Sequence, residues 1–301
     1  MVTMFKEKMM LFLYSETPIH PGSGTLVRGV ADLPIQRERH TEFPIIQGSS
    51  LKGVLRHNAK LAEIEKEEKK CIFGSPDEVG GVSVTDARVL AYPIRSLKGV
   101  FGWITCPLAL NRYKRDLGLL NVETSWNVPK IEKEYKALVC EGSSLLYKGH
   151  VYLEDLQLKS QTDNQVNNIV EDMAKGIPEN RGYNEIREKL KKDLVVVSDE
   201  IFRDFVSLTT EIITRIQINS EKGTVKKGGL WSEEYLPTDT LMYSLILIPD
   251  RPRKSCESKE ITERLKGYNE KILNIGGDET VGKGFVRLRM IKGEDVNAEK
   301  S

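Results

Sequence analysis

The sequence has little that would staple or anchor it. Its four cysteines (Cys71, Cys106, Cys140 and Cys256) include no CxxC pair, and this spacing argues against a disulfide framework and against a zinc site. No apolar run approaches the roughly 20 residues needed to cross a bilayer. The opening MVTMFKEKMMLFLYSE is charged and only briefly apolar, unlike a secretory leader. A cytoplasmic protein without a membrane partner is the expectation. Net charge is lacking too, because 45 Lys and Arg against 44 Asp and Glu leave +1. A chain-wide basic field for nucleic acid is thereby excluded, and any polyanion site must come from local clustering.

What is present is a chain of 301 residues, enough for one large domain or two ordinary ones with a real core. MMLFLYSE, from Met9, reads as a buried first strand, and the Pro- and Gly-rich segment 18–44 as a long loop. Ser49 or Ser50 is placed to cap a helix in which Leu51, Val54, Leu55 and Ala62 form the apolar stripe. Segments 80–94 and 99–105 alternate like strands, LALNRYKRDLG reads as a short helix, and KALVCEG and KGHVYLEDLQL add strands. Residues 165–206 are charged and mostly helical, broken at Pro178 and Gly182, and 208–237 reads as a long β-hairpin around a Gly- and Lys-rich turn. A buried strand at 239–250, an amphipathic helix at 261–275, a Gly loop and the strand FVRLRM complete the pattern. Strands outnumber helices without strict alternation, so the fold class is α+β with an antiparallel sheet, suited to a ferredoxin-like core with long insertions.

Residues 20–60 concentrate the chemistry. His20, Asp32, Arg37, Arg39 and His40 share one Gly-rich loop, and Lys52, Arg56 and Lys60 recur every four residues on the helix that follows. Two imidazoles could serve as base and acid in a ribonuclease, or each could be a structural hydrogen-bonder. Asp32 has Arg28, Arg37 and Arg39 nearby in sequence; such cations would keep it ionised, ready to bind a divalent ion or take a proton from a ribose 2′-OH. It could equally satisfy local turn N–H groups. The basic row on the helix could be a solvated face. Trp231, Glu233 and Tyr235 fall on one face of the hairpin, suited to base stacking and acid–base work or to plain packing. GDETVGKG (277–284) matches GxxxxGK, but Gly284 stands where a P-loop needs Ser or Thr, and the order helix, loop, strand is inverted. Nucleotide hydrolysis is excluded, while Gly282, Lys283 and Gly284 could still cradle a phosphate chain.

With these residues in view, the chain resembles the RAMP superfamily of CRISPR proteins, and within it the repeated backbone subunit of type III-B (Cmr) effector complexes. The resemblance rests on HPGSG at 20–24, GVADLPIQRERHTEFPIIQGSSLKGVLR at 29–56, DARVLAYPIRSLKGVFGWITCP at 86–107, LWSEEYLPTDTL at 230–241 and the Gly loop at 276–284. It implies a single RAMP domain over 1–301, with a ferredoxin-like (RRM-like) palm at about 5–160 and 239–292. A helical and β-hairpin thumb insertion would occupy about 165–238. It implies a filament of copies of the chain on guide (CRISPR) RNA, with the other subunits of the complex, and cutting of single-stranded target RNA at regular intervals beside each thumb. Asp32 falls on the family's essential acidic position and is the candidate metal ligand, for Mg or Mn, with no tightly bound cofactor. His20, Glu233 and Tyr235 align with positions lining the same cleavage site. Ser50 and Lys52 fall on guide-RNA contacts; Ser49, Arg56, Arg37, Arg39, Gly282, Lys283 and Gly284 are assigned to the guide with them. The Gly loop is poorer in Gly and Arg than those of guide-processing relatives, which weakens any role in processing guide precursors. A non-catalytic guide-binding scaffold and a stand-alone endoribonuclease using His20 and His40 are the alternatives.

Overall fold

Six successive large side chains, Met9 to Tyr14, leave the first strand no face to give to water. The computed structural model describes residues 4–24, 31–131, 136–221, 223–250 and 256–293. In it, strand β1 (Phe5–Ser15) lies inside a large mixed sheet. Met9, Leu11 and Leu13 enter a core on one side; Met10, Phe12 and Tyr14 enter a second core on the other. The first core receives Leu51 and Leu55 of α1 (Gly48–His57), Ile72 of α2 (Lys66–Phe73), Phe202 of α6 (Asp199–Leu208) and Leu265 of α7 (Ser258–Lys266). The second receives Leu110 of α3 (Pro107–Leu119), Ile169 of α4 (Asn164–Ala174) and Leu190 of α5 (Asn184–Asp193). Burial on both faces is why the strand reads as a continuous apolar run rather than an alternating one.

The other strands on the main path of the sheet are β2 (Ala87–Arg95), β3 (Phe101–Thr105), β4 (Lys136–Val139), β5 (His150–Leu153), β6 (Leu156–Thr162), β7 (Leu194–Val196), β10 (Leu241–Pro249), β11 (Ile272–Asn274) and β12 (Phe285–Lys292), and the two-residue segments Ile45–Ile46 and Ser83–Val84 pair onto β2 and β10. Their spatial order is β11-β12-β1-β10-β2-β3-β7-β4-β6-β5. β1 is antiparallel to both neighbours, with Leu11 opposite Ser244 of β10 and Leu13 opposite Leu288 of β12. β7 runs parallel to β3, and β6 parallel to β4. Strands β8 (Glu211–Ile218) and β9 (Val225–Tyr235) form a separate two-stranded hairpin. Its outer part is exposed, including Ile216, Ile218, Val225 and Leu230.

Four local expectations need correction. The charged stretch 165–206 is helical except at β7, whose buried LVV run joins the sheet; β-branched residues suit a buried pleated surface better than a helix. The helix expected over 261–275 ends at Lys266, and Ile272–Asn274 is strand. Helix α1 is not capped by Ser49 or Ser50. It begins at Gly48 after Gln47, and Asp86 Oδ1 accepts the Gly48 N–H at 2.8 Å. A Cβ on Gly48 would come 2.3 Å from the Val84 carbonyl oxygen, so this close approach requires glycine. Finally, Cys71 of α2 and Cys256, just ahead of α7, are joined by a disulfide across a sequence separation of 185. No spacing rule signals a pairing so distant. Cys106 and Cys140 are free and buried. No helix among the described residues is long and apolar enough to cross a membrane.

Candidate functional site

The root of the hairpin gathers most of the residues singled out above. Strand β9 alternates there, so Ser232 and Glu234 point to one side and Glu233 and Tyr235 to the other. Loop residues 32–37 pack against the first side. Leu33 N–H donates to the Ser232 carbonyl (3.0 Å) and Glu234 N–H to the Leu33 carbonyl (3.0 Å), a short parallel pairing. Asp32 sits at its edge. Its Oδ2 accepts from Ser232 N–H (2.7 Å) and Ser232 Oγ–H (2.8 Å), while its own N–H donates to Ser232 Oγ (2.9 Å). The residue is exposed, and both hydrogen bonds from Ser232 to its carboxylate converge on Oδ2. The backbone and then the side-chain hydrogen bond from Ser232 hold the Asp32 carboxyl below its ordinary range. The lowering comes from Ser232; neither Arg37 nor Arg39 is among its causes. Arg28 lies outside the described residues and Arg39 is exposed in the loop.

Arg37 is used inward rather than toward a ligand. Its NH2 pairs with Glu234 Oε1 (2.5 Å), and its NH1 donates to the carbonyls of Glu42 (2.9 Å) and Val206 (3.0 Å). Glu234, which sequence reasoning passed over, also accepts from Ile35 N–H (3.0 Å) and Thr210 Oγ–H (2.9 Å). It is the buried organiser of the loop, and its one visible signal was the doubled Glu of WSEEYLP.

On the opposite side Glu233 and Tyr235 are buried, and the plain-packing reading of this face is the one the geometry carries. Glu233 Oε1 accepts from Trp231 Nε1 (2.7 Å); Oε2 accepts from Arg215 Nε (2.8 Å) and from the Tyr235 hydroxyl. Burial pushes the Glu233 carboxyl up, but the hydrogen bonds from Tyr235, Trp231 and Arg215 outweigh it and hold it at about 2. The Tyr235 hydroxyl also lies 2.8 Å from Asp278 Oδ2 and accepts from Arg215 NH2 (2.8 Å). Fully buried, Tyr235 has no ring face for a base, and the Lys283 ammonium sits 5.1 Å from its centroid. Arg215 and Asp278, neither expected from sequence, thus tie the hairpin to the Gly loop 276–284.

His20 lies between these two sets. Its Nδ1–H donates to the Glu234 carbonyl (2.7 Å), which fixes the ring through that nitrogen. The ring tilts against Tyr235 at 5.5 Å between centroids. His40 is elsewhere, with Nε2 3.2 Å from Arg112 NH2 of α3, so the two imidazoles share no partner. A cleft of about 270 Å³ is lined by His20, Gln36, Ser50, Gly276 and Gly277. It continues past Ser50 and Gly276 into a second of about 460 Å³, walled by Gly53, His57, Asn274 and Glu279. Gly276 has φ +93°, and a Cβ there would come 2.3 Å from the His20 carbonyl oxygen. Gly282 and Gly284 also have positive φ. Gly284 N–H donates to the Pro18 carbonyl (2.8 Å), and Lys283 N–H to that of Asp278 (3.2 Å).

The face of α1 that lines this groove is Ser50, Gly53 and His57, with Ser49 exposed in the first turn. Lys52, Arg56 and Lys60 do not line it. Lys52 Nζ donates to the Val82 carbonyl (2.9 Å), and burial, then the Arg56 charge, lower its pKa. Arg56 Nε is buried without a hydrogen bond among the described residues. Among those residues no three His, Cys, Asp or Glu side chains cluster as a metal cage.

The RAMP superfamily profile matches residues 12–287. The chain belongs to the RAMP superfamily. One member of the superfamily, the CRISPR system Cmr endoribonuclease Cmr4 of Pyrococcus furiosus, is 48% identical over 285 residues, which cover 92% of this chain and 94% of that protein. The crystal structure of oligomeric Cmr4 from the same organism superposes with a TM-score of 0.77 at 38% identity, covering 97% of this chain and all of that one. A chain in the cryo-EM structure of the type III-B Cmr-beta bound to cognate target RNA has a TM-score of 0.73 at 26% identity, covering 98% of this chain and 100% of that one.

Proposed function

We propose that this chain is the repeated backbone subunit of a type III-B CRISPR ribonucleoprotein, binding guide RNA along a stack of its own copies and cutting the paired target RNA. The likeness over more than nine-tenths of the chain to a protein named an endoribonuclease, and to a chain of a complex bound to target RNA, supports the assembly and the activity. The observation that carries the chemistry is Asp32: exposed, ionised, fixed through one oxygen and open through the other at the hairpin root.

The core is best taken as ferredoxin-like. The run β1-α1-β2-β10-α7-β12, with antiparallel spatial order β12-β1-β10-β2, supports a palm at about 5–160 and 239–292, and the hairpin supports a thumb within 165–238. The groove between α1 and the Gly loop suits a phosphate backbone, because Ser50, Gly53, Gly276 and Gly277 line it and permit close approach. Ser49, Ser50 and the loop around Gly276 are the strongest guide contacts on this reading.

Target RNA is cut by its own 2′-OH. A hairpin wedged into the guide–target duplex displaces a base, at a cost of a few kcal/mol, and bends the backbone toward in-line attack. Orientation comes from the filament, so few side chains are needed. Asp32 takes the 2′-OH proton or steers it to water; the 2′ oxygen attacks phosphorus, the bond to the 5′ oxygen breaks and that oxygen takes a proton from water, leaving a 2′,3′-cyclic phosphate and a 5′-hydroxyl. Asp32 is the residue that would hold a divalent ion, Mg or Mn, in the presence of RNA. Such an ion supplies charge stabilisation at phosphorus and a lowered proton pKa. His20 presents Nε2 to the adjoining cleft, and Glu233 and Tyr235 act by holding the hairpin root.

In the assembled complex, Asp32→Ala should reduce cutting by at least about 10²-fold while target binding stays near wild type. Parallel loss of binding and cutting, or products ending in a 3′-hydroxyl, would overturn this reading.

A further inference from the structure

We propose that Ser232 is the positioning residue of the cleavage site, fixing the Asp32 carboxylate so that only Oδ1 faces the RNA; this rests on the reading that Asp32 acts on the target strand. Pairing between the loop and β9 is already made by backbone, through Leu33 N–H to the Ser232 carbonyl and Glu234 N–H to the Leu33 carbonyl. The Ser232 hydroxyl extends that pairing by one bond, to the Asp32 N–H, and its remaining bond is to the carboxylate. Its hydrogen bonds both go to Asp32, accepting from the N–H (2.9 Å) and donating to Oδ2 (2.8 Å). With Ser232 N–H on the same Oδ2 at 2.7 Å, that oxygen holds two donors. An exposed aspartate would otherwise rotate freely about χ1 and χ2 and present either oxygen. Here rotation breaks two charge-assisted hydrogen bonds, so one oxygen is committed to the protein and its twin is presented outward. Hairpin and carboxylate also become one body, so a duplex that seats the hairpin seats Asp32 with it.

The test uses the complex assembled on guide RNA, with single-turnover cleavage and target affinity measured separately for Ser232→Ala, Ser232→Thr and Asp32→Ala. Ser232→Ala keeps the backbone donor on Oδ2 and removes the hydroxyl donor, which loosens the carboxylate without releasing it. The cleavage rate should fall by about 10-fold, within the range that misplacement of a reacting group produces, with target Kd within about twofold. Ser232→Thr, which keeps the hydroxyl, should restore most of the rate. A wild-type rate for Ser232→Ala beside an inactive Asp32→Ala overturns the positioning role alone. An active Asp32→Ala overturns the underlying reading instead. Equal loss of rate and affinity in Ser232→Ala, or no rescue by threonine, assigns Ser232 to the hairpin scaffold and overturns the proposal. If Ser232→Ala does not assemble, Ser232→Cys, a poor hydrogen-bond donor of similar size, takes its place against Ser232→Thr with the same criteria.

Discussion

Arg215 is the residue whose removal tests the hairpin root most directly. Its Nε donates to Glu233 Oε2 and its NH2 to the Tyr235 hydroxyl, both at 2.8 Å, and Asp278 Oδ2 lies 3.8 Å away. Arg215→Ala leaves the Glu233 side chain, 7% exposed, with Trp231 and Tyr235 but without a counter-charge. Deleting one partner of a fully buried pair costs about 3–5 kcal/mol. The Arg215 side chain keeps 23% of its exposure, so water can enter the vacated space, and about 2–3 kcal/mol is the better figure here. Unfolding entropy near 2.1 cal/mol/K per residue, over 301 residues, converts this into a melting-temperature drop of about 3–5 °C. Because the network is local, amide exchange should show it more sharply. Protection in β8 and β9 should fall by about 30- to 150-fold at 1.4 kcal/mol per decade, with little change in β1. Arg215→Lys, which keeps charge but not the two-pronged contact, should fall between. Unchanged protection across both hairpin strands together with an unchanged melting temperature would refute the assignment of the network as what holds the hairpin.

Two further outcomes follow from contacts already described. Glu233 is held at about 2 against an ordinary 4.5. A carboxylate whose folded-state value is depressed stabilises the fold above the ordinary value, and that contribution is lost as pH falls from about 4.5 toward 2. Wild type should therefore lose more urea resistance between pH 5 and 2.5 than Glu233→Gln; parallel curves would contradict the sign. The Cys71–Cys256 bond closes a loop spanning 185 residues, for which loop-closure entropy gives about 5 kcal/mol. Reduction should thus lower the melting temperature by about 8 °C, with no further effect of reductant on the Cys71→Ser, Cys256→Ser variant. Coincident melts of oxidised and reduced wild type would count against the cross-link.

How far the sequence could be read depended on the distance over which each feature is encoded. The hairpin was legible because its strands are adjacent in the chain, and alternation alone put Trp231, Glu233 and Tyr235 on one face, where Glu233 indeed joins the other two. Asp32 was picked out, but the partner that lowers its pKa was not: its donor Ser232 is 200 residues away, whereas Arg37, near it in sequence, turns inward to Glu234. The same distance hid Asp278 behind Tyr235 and Cys256 behind Cys71. Along α1 the basic residues drew the eye, yet the groove is lined by the inconspicuous Ser50 and Gly53 together with His57. Charge is visible in a string of letters; which side of a helix meets a cleft depends on the loop packed across from it.

The position of β1 has a consequence for synthesis. The strand made first is completed by β10 and β12, both from the last fifth of the chain, and about 225 residues separate Ser15 from Leu241. At about 5–20 residues per second, a ribosome leaves Met9 to Tyr14 without sheet partners for roughly 10–45 s. During that interval an apolar strand with two sticky faces and two open edges is the most aggregation-prone segment of the nascent chain. The strands formed in the meantime, β2 to β7, can pair among themselves as a platform, and closure of the sheet then awaits β10. The interior of the sheet is therefore finished last.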